Sequence, residues 1–134
     1  MPKPWLADAY LLAGRADDAA PAALRGLAAA QEHKERGVEG YALRLLAEIA
    51  TQADPPNADQ AERYYQQALA LAEELGMRPL VAHCHLGLGT LYRKIGRGED
   101  AQAELTTAAK LYREMEMTFW LEKAQAALGQ VGAT

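Results

Sequence analysis

The chain of 134 residues has a single cysteine, few β-branched aliphatic residues and fewer basic than acidic side chains. Each scarcity excludes something. Cys84 has no second cysteine with which to close an internal disulfide, so a reducing compartment is the simpler reading and a cytoplasmic location is expected. The shortage of Val and Ile leaves little from which to build a sheet. No run approaches the roughly 20 apolar residues that a membrane span needs, and the opening "MPKPWLADAY" has no cationic stretch leading into a long apolar one. Neither membrane insertion nor export is therefore expected. With 14 basic against 18 acidic residues the formal net charge is −4, which argues against a nucleic-acid surface.

What the chain does have is alanine, with leucine, glutamate, glutamine and arginine, a strongly helical composition. It also repeats itself. "LGTLYRKIGRGEDA" (88–101) matches "LADAYLLAGRADDA" (6–19) in its aromatic, glycine, acidic pair and closing alanine, and a middle copy lies in "LAEIATQADPPNADQA" (46–61). The offset from Tyr10 to Ala50 and from Ala61 to Ala101 is 40, whereas stretches that include "ADPPNAD" are offset by 42, so two residues are inserted in that loop. Leu88 and Gly89 recur 40 residues later as Leu128 and Gly129, which amounts to half a further repeat.

Within each repeat the apolar spacing is helical. Val81, Cys84, Leu88, Leu91, Tyr92 and Ile95 form one stripe, and Ala61, Tyr64, Tyr65, Ala68, Leu69, Ala72 and Leu75 form a second. Each repeat is thus a helix pair, and the predicted helices span 4–13, 18–33, 37–53, 58–75, 79–95, 99–115 and 119–130. The boundaries follow from local chemistry. Pro79 suits a first turn, Asp17 or Asp18 and Asn57 or Asp59 are candidate N-caps, and Gly76 and Gly96 suit left-handed helix ends. Pro55 and Pro56 forbid a continuous helix between the middle pair. Small residues after the leucine (Ala7, Ala47, Gly89) let the partner helix approach, and the closing alanines (Ala19, Ala61, Ala101) sit where the helices cross.

These residues resemble the tetratricopeptide repeat, whose pattern is met by Leu88, Gly89, Tyr92, Gly96, Ala101, Leu105 and Ala108, and in the middle repeat by Leu46, Ala47, Ala61, Tyr65 and Ala68. The period is about 40 rather than the family's roughly 34 residues, Leu43 and His85 stand where its tryptophan would be, and its closing proline is missing. The chain therefore looks like a long variety of the repeat. More narrowly, "YYQQALALAEELGMRPLVAHCHLGLGTLYRKIGR" (64–97) followed by "REMEMTFWLEKAQAAL" (113–128) resembles the C-terminal repeats of large bacterial signalling proteins that join a cyclase-like or regulatory module to an ATPase module. The fold implied is all-α, a right-handed α-α superhelix of three helical hairpins and a capping helix. It forms one domain over 1–134, with repeats near 4–36, 37–78 and 79–118 and the cap at 119–130.

Several residues invite chemistry. His83 and His85 flank Cys84, yet helical neighbours two apart point about 200° from one another, so the two imidazoles do not readily share a metal. Cys84 falls on the apolar stripe as a small buried hydrophobe, His85 in the wedge between helices and His83 toward the groove. The acidic pairs Asp17 and Asp18, Glu73 and Glu74, and Glu99 and Asp100 sit at helix starts or solvent faces, where the helix dipole and hydration explain them. "HLGLGTLYRKIGRG" lacks phosphate-loop lysine spacing, and Arg93, Lys94 and Arg97 make too small a basic stripe for nucleic acid. Met115, Met117, Phe119, Trp120 and Leu121 are assigned to core at the junction with the last helix. No enzymatic activity, cofactor or metal is expected.

The resemblance implies a concave surface lined by the first helix of each pair. Its groove-facing places fall on Tyr41, Arg44, Glu48 and Gln52, and on His83, Leu86, Thr90, Arg93 and Lys94. Together they form a mixed, mildly cationic strip suited to an extended or helical peptide. The asparagines and lysines with which some relatives clamp a terminal carboxylate are missing. The expectation is a protein-interaction module for a peptide or partner domain, a C-terminal scaffold segment of a larger signalling regulator. The alternative is a spacer or self-association element that forms a homodimer through Trp5, Leu11 and Leu12.

Overall fold

The computed structural model describes residues 16–53 and 55–132. Among these residues six helices follow one another: α1 (Ala16–Glu32), α2 (Arg36–Gln52), α3 (Ala58–Leu75), α4 (Arg78–Lys94), α5 (Gly98–Glu114) and α6 (Thr118–Gly132). There is no strand among the described residues. The expected helix at 4–13 lies outside them, and the other six boundaries fall within about two residues of those drawn from capping and periodicity.

Four of the connections share one device. Lys34, Gly76, Gly96 and Glu116 have positive φ, of 58°, 70°, 81° and 58°. After each, the amide of the next residue bonds back to the carbonyl five residues earlier: Glu35 to Ala30, Met77 to Ala72, Arg97 to Tyr92 and Met117 to Tyr112, at 2.8 to 2.9 Å. This is the Schellman closure, which satisfies carbonyls that a helix end leaves unpaired. Glycine signals two of the turns, whereas Lys34 and Glu116 adopt the same left-handed conformation without it. Asn57 corrects one expectation. It stands at the N-cap of α3, but its side-chain amide donates to Gln60 Oε1 at 2.9 Å and accepts no backbone N–H.

The core is built where helices cross. On α4 and α5, Leu80, Ala82, Cys84, Leu91, Ala101, Leu105, Ala108 and Tyr112 are completely or almost completely buried. A Leu of that kind contributes about 1.5–3 kcal/mol through removal of its apolar area from water. The stripes fray at their ends, since Leu75 and Ile95 remain more than one-third exposed. Repeat-equivalent ion pairs span the outer ends of the helices, Arg36 to Glu74 at 2.7 Å and Arg78 to Glu114 at 2.8 Å.

Successive first helices touch one another, α2 with α4 and α4 with α6, whereas the second helices α1, α3 and α5 do not. The stack therefore curves toward the first helices, which form its concave side. The last helix covers α4 and α5 through Ala124, Trp120, Leu121 and Leu128. Its outward places, repeat-equivalent to the inward-facing Ala82 and His85, hold Glu122 and Gln125, both exposed. A polar outer face is what a terminal helix of a solenoid requires.

Candidate functional site

The concave side holds a cavity of about 600 Å³ between α2, α4 and α6. It exists because of a size gradient at equivalent places in the first helices. Where α2 carries Arg44 and Leu45, α4 carries Leu86 and Gly87, and α6 carries Ala126 and Ala127. Gly87 has a second consequence. A β-carbon there would overlap the ring of Tyr65, which comes from α3, a second helix. The missing side chain lets this phenol pass between α2 and α4 to the floor of the cavity, where it is only 3% exposed. Burial drives its pKa upward, so it stays a hydroxyl able to donate or accept.

One wall is aromatic. His83 Nδ1 and the Tyr112 hydroxyl share a hydrogen bond at 2.6 Å, and the His83 ring meets Trp120 edge-on with centroids 4.6 Å apart. Burial, with Arg44 adding to it, lowers the His83 pKa to about 4, so the imidazole is neutral near pH 7. The charged lining is mostly cationic. Arg44 bonds Glu48 one turn on at 3.1 Å, Lys94 Nζ donates to the Thr51 carbonyl at 3.3 Å, and Lys123 Nζ lies over the Phe119 and Trp120 rings at 5.2 and 5.7 Å.

Of the residues drawn from sequence, Arg44, Glu48, Gln52, His83, Leu86, Thr90 and Lys94 line the cavity. Tyr41 and Arg93 do not. Tyr41 packs half-buried on the α3–α4 core, and Arg93 is half-buried with a shielded Nε that has no hydrogen-bond partner. Sequence reasoning missed Thr51, Tyr65, Gly87, Trp120, Lys123, Ala126 and Ala127. The signal for Gly87 lay in "GLG", where only Gly89 belongs to the repeat pattern. Trp120 is half-buried and lines the cavity besides joining the core, and Phe119, assigned to core, is 63% exposed. Trp5, Leu11 and Leu12 lie outside the described residues.

The His83–Cys84–His85 stretch divides its side chains among three environments. His83 faces the cavity, Cys84 is fully buried, and His85 Nδ1 lies 2.6 Å from Glu104 Oε2 on α5. Burial pushes the Cys84 thiol up to about 12, away from the thiolate that nucleophilic chemistry needs. Among the described residues no group of three or more His, Cys, Asp or Glu side chains could hold a metal. None of the described helices is long and apolar enough to cross a membrane. What the cavity offers is shape, hydrogen-bonding groups and charge, the means of holding a ligand.

A comparison with curated proteins finds no match. The model of the tetratricopeptide repeat family matches residues 41–114, from α2 to the end of α5. Repeats of this kind generally mediate protein–protein interactions and are typically not catalytic. The match covers more than half of the chain and runs across both complete helix pairs among the described residues, so this chain belongs to the tetratricopeptide repeat family.

Proposed function

We propose that the chain is a protein-interaction module that takes a peptide, or a segment of a partner domain, into its concave face. The observation that supports this most is the cavity itself. Three successive first helices and one intruding tyrosine converge on a space of about 600 Å³ lined by both apolar and cationic groups. Clefts of this size with a few placed polar groups are the usual form of a recognition site. The resemblance to repeats of large bacterial signalling regulators supports a place as a scaffold segment of such a protein in the cytoplasm, with residues 1–134 as one repeat domain.

The test is affinity capture from the source cell's lysate with the wild-type chain and with Ala126→Phe, whose helicity is checked by circular dichroism. Ala126 is exposed and lines the cavity, so the larger ring fills the space without entering the core. A partner held by the wild type and lost by the variant supports a concave-face module. Equal recovery of the same proteins refutes it.

A further inference from the structure

We infer that the occupant of the cavity is a segment of a partner protein that carries one bulky apolar side chain flanked on both sides by acidic residues. The inference rests on the concave-face reading above and specifies its ligand.

The sign of the charge is the first observation. The chain as a whole is acidic, with formal net charge −4, yet the cavity lining carries Arg44, Lys94 and Lys123 against a single carboxylate, Glu48. That carboxylate is engaged by Arg44 at 3.1 Å. Cations gathered on one face of an acidic protein favour an acidic partner and repel basic ones.

The second observation is where the lysines stand. Lys123 is the repeat equivalent of His83, 40 residues on, and Lys94 lies 11 residues beyond His83 on α4. At about 1.5 Å rise per residue the two places are offset by roughly 16 Å along the helices. Adding one interhelix spacing of about 8–10 Å makes the diagonal roughly 18 Å. An extended chain covers that in about five or six residues. Each ammonium is anchored, Lys94 by the Thr51 carbonyl and Lys123 by two aromatic faces, and each has three donors in all.

Between them the lining is apolar and hollow. Leu86 and Trp120 flank the space that Gly87, Ala126 and Ala127 leave open, with the Tyr65 hydroxyl at its floor. A large side chain such as Leu or Phe fills such a hollow with favourable burial, and the carboxylates two or three residues to either side then meet the lysines. The apolar anchor supplies most of the affinity and the flanking charges select the sequence.

The probes are nine-residue Ser-rich peptides with a central Phe, labelled for fluorescence anisotropy against the full chain. One carries Asp on both flanks of the Phe, a second Lys, a third Ser, and a fourth keeps the Asp flanks around a central Ser. The Asp-flanked Phe peptide is expected to bind about tenfold tighter than its Ser-flanked counterpart, in line with two partly exposed charge pairs. The Lys-flanked and central-Ser peptides should bind more weakly still. In Lys94→Glu/Lys123→Glu, two side chains on the surface of the groove, the order of Asp- and Lys-flanked peptides should invert.

Equal binding of Asp- and Ser-flanked peptides, an unchanged order in the double variant, or no binding of any peptide overturns the inference. If Asp- and Ser-flanked peptides bind equally and Ala126→Phe removes both, the acidic code falls while the concave-face reading stands. If Ala126→Phe leaves the Asp-flanked peptide bound, both fall.

Discussion

Two glycines on α4, two residues apart, belong to regions built on opposite rules. Gly89 faces the seam inside the α4–α5 pair, where a β-carbon would come within 2.5 Å of Leu105 Cγ and 3.4 Å of the Ala101 carbonyl. Its equivalent in the preceding pair, Ala47, is also small and fully buried. Gly87 faces the other way, toward the cavity, and its equivalents are Leu45 and Ala127. The seam is made of places where repeats agree, and the cavity of places where they differ. Agreement preserves a crossing distance that every pair needs, whereas difference carves one hollow at one place in the stack.

The comparison can be broken most strongly at the seam. Leu105→Ala, which empties a fully buried place, should cost about 2–5 kcal/mol in urea unfolding, whereas Leu86→Ala, half-buried on the cavity wall, should cost clearly less. A Leu86 variant as destabilised as the Leu105 variant would mean that the cavity wall is core. The glycines come next. Gly89→Ala should lose about 1–3 kcal/mol through overpacking. Gly87→Ala should displace the Tyr65 ring and change the environment of the cavity, seen as shifted near-ultraviolet circular dichroism with helicity retained. Unmoved tyrosine signals in Gly87→Ala would contradict the passage of Tyr65 beside that glycine.

Acid sharpens the comparison further, because His83 sits on the cavity wall yet bonds to Tyr112 in the core. Its pKa is lowered to about 4 in the folded chain, against an ordinary value of 6.5. Between those values the unfolded chain binds a proton that the folded chain does not, so His83 costs nothing above pH 6.5 and reduces stability as pH falls toward 4. His83→Phe should therefore flatten the loss of stability over that window, measured as urea midpoints against pH beside the wild type. Parallel pH profiles would show that His83 protonates without cost.

The smallest effect is expected at the turns, where the repeats agree in backbone rather than in residue. Lys34→Gly and Glu116→Gly remove the steric cost of a left-handed non-glycine residue and should each gain up to about 1 kcal/mol in thermal or urea unfolding. Gly76→Ala should lose a similar amount. No gain in either glycine variant would place the strain of those turns elsewhere.

These contrasts also explain what the sequence disclosed. Helix ends and seams were legible because periodicity, Pro55 and Pro56, Gly76 and Gly96, and the alanines at 61 and 101 act locally or recur at a fixed offset. The groove-facing places came from the family resemblance rather than from periodicity, and of them Arg44, Glu48, Gln52, His83, Leu86, Thr90 and Lys94 line the cavity whereas Tyr41 and Arg93 do not. The cavity floor was not legible. Tyr65 belongs by periodicity to the core stripe of α3, and its arrival at the concave side depends on a hole 22 residues later in another helix. The turns at Lys34 and Glu116 were placed by periodicity, but their left-handed conformation was not legible, because only a glycine advertises positive φ. Trp120 lies at a junction, and periodicity cannot say that it serves both core and cavity.

The most direct test of the central claim, that places where the repeats differ form the recognition surface, is chemical-shift mapping of the isotopically labelled chain. Its captured partner, or the Asp-flanked Phe peptide, is titrated in. The account predicts perturbations at Gly87, Trp120, Lys123, Ala126 and Ala127 and at the Tyr65 side chain, with the outer faces of α3 and α5 silent. Perturbations centred on those outer faces, with the cavity residues unmoved, would contradict it.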